Sequence, residues 1–224
     1  MMRRAAGVAL TIALAWTSVP SAARQTAEYL GWTGEQAQRI GQGMRANGRV
    51  GGLFDLRVVH TERSYNYKLR ATWLTPDVIR ATARLAQLTD GLSASETENL
   101  VKEAEAVRDT VVLVEIDPRE GSGVVPLEWQ AFLGLKGAQP GDPSIVKGKS
   151  VPALRDVRAL SGVYRRDYNY ERFWIVFPLR TEAGRDMFAD GASGADLVVR
   201  IYDKEGRVSW PVPDSIRAGR VGAP

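Results

Sequence analysis

The sequence predicts an α+β fold: a mainly antiparallel, β-sandwich-like domain with an inserted helical hairpin. Three observations lead there. Residues 65–73 alternate between apolar and polar side chains with a period of two. Residues 111–116 and 173–177 are apolar on both faces, as strands covered on both sides are. Between the first and second of these, about residues 75–108, the period changes to that of helices.

Before the first element, residues 1–23 carry the pattern of a cleavable secretory signal peptide. Arg3 and Arg4 form the positive start, Ala5–Val19 carries no charge, Pro20 breaks the helix, and Ser21-Ala22-Ala23 offers small residues for cleavage. The apolar run is short for a permanent anchor, which needs about 20 residues to cross the hydrocarbon. An exported chain, periplasmic or extracellular, is the expectation. Residues 24–224 then make one globular domain of 201 residues with no transmembrane span. Without Arg3 and Arg4 there are 28 basic residues against 26 acidic ones, a net charge of +2, so nucleic acid is not an expected partner. The chain has no cysteine, so packing alone must hold the fold.

Thr33 and Gln36 have the spacing of a capping box and predict a short helix. Asn47-Gly48 and Gly51-Gly52 read as a turn or linker. Phe54, Leu56 and Val58 begin a strand whose face His60 continues. Its expected antiparallel partner is the run in which Tyr65, Tyr67, Leu69, Ala71 and Trp73 share one face, opposite Asn66, Lys68, Arg70 and Thr72. Thr75-Pro76-Asp77 starts a helix with apolar Val78, Ala81, Leu85 and Leu88, and Asp90-Gly91 ends it. Ser93 and Glu96 cap a second helix, whose Leu100, Val101, Ala104 and Val107 face inward. Glu96, Glu98, Glu103 and Glu105 fit a solvated face.

Val111–Ile116 is expected as a central strand, with Glu115 its one charged residue. Gly121 and Gly123 mark a turn, Leu127–Leu135 a further strand, and residues 136–152 a long exposed loop rich in Gly and Pro. Pro178 ends the strand Phe173–Phe177. Leu197–Tyr202 and Arg207–Val212 flank Asp203-Lys204-Glu205-Gly206, expected as a type I turn closed by glycine. The total is six to eight strands.

Chemical signatures fail one by one. His60 is the only histidine and has no catalytic partner in the sequence. With no cysteine either, no ordinary zinc site is expected. Gly148-Lys149-Ser150 resembles the end of a phosphate loop, but Pro143 stands where the loop's first glycine belongs. Gly121-Ser122-Gly123 is not a nucleophile elbow. Asp186, Asp190 and Asp196 approach a calcium loop, in which Phe188 and Leu197 occupy ligand positions. Neither a metal nor a cofactor is expected.

What remains is a local excess of charge. Lys136, Lys147, Lys149, Arg155, Arg158, Arg165 and Arg166 stand against Asp142 and Asp156, a balance of +5. The expectation is a non-catalytic binding or assembly module of the cell envelope. It would touch an acidic protein or polymer through Lys147, Lys149, Arg165 and Arg166. Two other classes stay open. A hydrolase using acidic residues would need a deep pocket with two facing carboxylates; Glu115 and Asp117, two apart on one strand face, are a pair of the kind that most chains offer by chance and single out no catalytic residue. A carbohydrate-binding module would need Tyr65, Tyr67 or Trp174 as an exposed platform. The repeated Tyr-Asn-Tyr at 65–67 and 168–170 raises that idea.

Overall fold

The computed structural model describes residues 28–51, 66–118, 124–139, 141–181, 184–188 and 192–218. Among these the fold is mixed α and β, mostly strand, with two antiparallel sheets and four helices. The expected signal-peptide segment, the expected strand with His60, Tyr65 and the expected turn at Gly121 and Gly123 lie outside the described residues.

In chain order come α1 (Gly34–Gly43), β1 (Arg45–Val50), β2 (Tyr67–Leu74), α2 (Pro76–Asp90), α3 (Ala94–Glu105), β3 (Thr110–Asp117) and β4 (Trp129–Leu135). There follow β5 (Val146–Lys147), β6 (Lys149–Ser150), β7 (Glu171–Phe177), β8 (Gly194–Ile201), β9 (Lys204–Pro211) and α4 (Asp214–Ala218). Strands β1-β2-β3-β7-β6 form the five-stranded sheet, and β5-β4-β8-β9 the four-stranded one.

Local chemistry sets the helix ends. In α1 the Gln36 N–H donates to Thr33 Oγ1 (3.2 Å), and the Thr33 N–H donates back to Gln36 Oε1 (2.7 Å). Ser93 and Glu96 repeat the arrangement at α3. Thr75 caps α2, Pro76 fills its first turn, and Gly91 closes it in the left-handed conformation at φ 69°. The α2–α3 hairpin sits between β2 and β3, as its periodicity predicts. Leu88 departs from the predicted apolar stripe and is exposed.

Strand β3 is buried along its whole length between β2 and β7. One face of β2 (Tyr67, Leu69, Ala71, Trp73) is wholly buried and looks toward the second sheet. There the Trp73 ring lies 5.9 Å from Trp210 of β9 and 5.3 Å from Phe188, while its Nε1–H donates to Thr110 Oγ1 (2.7 Å).

Three expectations are corrected. Asn47-Gly48 is no turn but the middle of β1, paired with Arg70 and Leu69. Its glycine admits the four-stranded sheet: a Cβ on Gly48 would stand 2.8 Å from Val208 Cγ1 and 3.0 Å from the Arg207 carbonyl oxygen. Asp203–Gly206 is likewise not the hairpin turn. The turn is Tyr202-Asp203, with Tyr202 at φ 56°, and Gly206 lies within β9. A Cβ on Gly206 would meet the Arg49 carbonyl oxygen at 2.5 Å. The two glycines therefore mark a seam where β1 and β9 touch. Thirdly, residues 136–152 are not one loop. At Gly148 the chain passes from β5, paired with β4, to β6, paired with β7.

Candidate functional site

Charge gathers on the face of the five-stranded sheet that looks away from the other sheet. Glu115, buried on β3, lies 3.6 Å from Arg45 Nη2 of β1 and 3.8 Å from Arg172 Nε of β7. Strand register makes this row, because Glu115 pairs with Arg70 on one side and Arg172 on the other. Arg70 reaches out to Asp167 (2.9 Å).

Aromatic rings cover the arginines. Arg45 lies 3.8 Å from the Tyr164 ring centre, Arg70 3.8 Å from Tyr170, and Arg172 5.1 Å from Trp174. Arg172 also donates to the Ser161 carbonyl oxygen, and Trp174 Nε1–H to that of Leu160 (2.8 Å). The segment 160–170 is thus strapped onto the sheet. Burial, together with the charges of Arg166 and Arg45, pulls the Arg172 pKa down despite Glu115. Burial pushes the Tyr170 hydroxyl pKa up.

The four cations predicted to bind belong to three elements. Lys147 is on β5, Lys149 on β6 opposite Val176, and Arg165 and Arg166 on the strapped segment. All four are exposed, and none forms an ion pair with a described residue. Arg166 lies beside the Tyr168 ring, at 4.8 Å, and its charge bears on Arg172. By contrast Arg155 and Arg158 of the same stretch pair with Asp156 (3.5 Å) and Asp90. Arg166 meets the arginine layer, whereas Lys147 faces the outer side of the other sheet.

That outer side holds a cleft of about 500 Å³, walled by β4, β5, β8, β9 and residues 138, 141–143 and 145. Phe132, Ile145 and Val198 give it apolar surface; Lys147, Arg200 and Arg207 bring positive charge, and Asp142 and Glu205 negative. A second hollow of about 590 Å³ opens between β4 and β7, over the edge-to-face pair Trp129 and Phe173 (4.9 Å). The sequence gives no local sign of either. Phe132 and Val198 sit in apolar runs whose inward neighbours are equally apolar, so alternation does not single them out.

The chemistry of the alternatives is constrained by burial. Tyr67 and Trp174 are 0% and 7% exposed, so neither offers a platform. The Tyr-Asn-Tyr echo is no structural repeat, since Tyr67 faces the core and Tyr170 the arginine layer. Glu115 is held between two arginines, and Asp117 beside it is buried. Asp196 is enclosed too: it accepts the Gly137 N–H (2.9 Å), Arg207 Nη1 (2.9 Å) and the Ser209 hydroxyl (2.6 Å). Among the described residues no group of three or more metal-ligating side chains comes together, and no helix is long and apolar enough to cross a membrane. Comparison with family models, with curated proteins and with solved structures returns no match.

Proposed function

We propose that this chain is a non-catalytic binding or assembly module of the cell envelope. In this reading it is a sandwich-like α+β domain, exported after removal of residues 1–23, that engages an acidic protein or polymer. The contact is made by Lys147 on the outer side of the four-stranded sheet and by Lys149, Arg165 and Arg166 on the five-stranded side, so the partner must reach round the β5–β6 edge to touch all four. One observation carries the reading: these four exposed cations have no carboxylate partner among the described residues, while their neighbours Arg155 and Arg158 do. A cation with no internal partner keeps its charge available for an external one.

Exposed charge contacts act over the Debye length, which falls from about 10 Å at 0.1 M salt to about 3 Å at 1 M. Association should therefore slow as salt rises. The test is crosslinking in intact cells, with identification of what is caught. Reversal of all four charges to glutamate should remove the captured acidic partner and leave the thermal midpoint nearly unchanged. Capture at wild-type yield by that variant would sink the reading. Export is tested separately by intact mass, with an N-terminus at Arg24 expected for the processed form.

A further inference from the structure

The outer face of a sheet is normally solvated, yet here the central rung is apolar and its ends are charged. Strand register sets Lys147, Phe132, Val198 and Arg207 side by side across β5, β4, β8 and β9. At about 4.8 Å per strand this row spans roughly 14 Å from lysine to arginine. Gly134, one position along that face from Phe132, has no side chain, and Ile145 sits against it from the overlying chain. Phe132 and Val198 are only partly covered.

The charges at the two ends are not equivalent. At the β9 end Arg207 is bound to Asp196 (2.9 Å) and approaches Glu205 (3.7 Å), which in turn holds Arg200 (3.0 Å). Arg200 also lies against the Phe132 ring, at 5.2 Å. Asp142, on the wall, accepts the Ser144 N–H (2.8 Å). At the β5 end Lys147 has no ion-pair partner among the described residues.

The geometry points to a binding site for an amphipathic anion: its apolar chain lies across Phe132 and Val198, and its carboxylate or phosphate head meets Lys147. This goes beyond the envelope-contact reading, since the site requires neither Arg165 nor Arg166.

Calorimetric titration of the full chain with decanoate, decanol, decyl phosphate and decylammonium tests it. Saturable binding of decanoate at one site is expected, with decyl phosphate similar, decanol about fivefold weaker and decylammonium not binding. Lys147→Gln should weaken decanoate about fivefold while leaving decanol unchanged. Val198→Thr, which keeps the shape and the strand preference, should weaken both. The double variant Arg165→Glu/Arg166→Glu should bind decanoate as the wild type does. The site is disproved if decanoate does not bind saturably, or if decanoate and decanol bind alike with Lys147→Gln without effect. Loss of decanoate binding in the double arginine variant would place the anion on the other sheet and overturn it equally.

Discussion

Gly148 separates two strands that belong to different sheets, and its lack of a side chain is a packing requirement. A Cβ there would lie 2.4 Å from Ile175 Cγ2 and 2.5 Å from Phe177 Cε1, both buried. Gly148→Ala should therefore destabilise by about 1–3 kcal/mol, as overpacking does. Gly43→Ala, where nothing lies within 4 Å, should instead stabilise by about 0.4–1 kcal/mol through the unfolded chain. Urea midpoints of the two variants should move in opposite directions. Asp196 is the second residue whose surroundings decide its behaviour. Burial alone would raise its pKa, but the Gly137 N–H, Ser209 and Arg207 outweigh burial and hold it below the ordinary aspartate value. With the folded pKa depressed, the stabilisation is complete above the unfolded value near about 4 and fades as pH falls through the folded one. Asp196→Asn should cost about 1–3 kcal/mol at neutral pH. Its stability should then decline less steeply than that of the wild type between about pH 4 and pH 2, in melts across that range.

At the scale of elements, helices declare themselves locally and strand pairs do not. Thr33 with Gln36, Thr75 before Pro76, and Ser93 with Glu96 each mark a helix start because donor and acceptor lie three residues apart. Ser93→Ala should destabilise by about 1 kcal/mol, measured by thermal or urea melts, since it strips the Glu96 N–H of its acceptor and leaves the Glu96 carboxylate only the residue-93 backbone N–H. Gly48 and Gly206 look like turn residues in the sequence but stand inside strands, because the groups that demand them belong to distant strands. The arginine layer was half legible. Glu115 stands out as the one acid in an apolar run, and Arg70 falls on the polar face of its strand. Their company of Arg45, Arg172, Tyr164 and Tyr170 arises from register and from the segment strapped across it, neither of which is a local property. The β5 and β6 strands escaped the sequence for another reason. Each is two residues long, too short for any period to show.

Over the whole molecule the two sheets are interleaved along the chain. Strands β4 and β5 of the four-stranded sheet lie in sequence between β3 and β7, which pair with each other in the five-stranded one. Neither sheet is a contiguous stretch, and the buried side chains of both join one core cluster. Tryptophan fluorescence and far-ultraviolet circular dichroism should accordingly report the same urea midpoint, and separated midpoints would show that the sheets melt independently. The seam between β1 and β9 has a kinetic consequence. The Gly51 N–H donates to the Glu205 carbonyl (3.2 Å) across more than 150 residues of chain. Loop closure of that length is entropically unfavourable, and contacts so distant in sequence slow folding. Among the described strands β1 is synthesised first and β9 last, so the β1 side of the seam stays without its partner until the last of them is made.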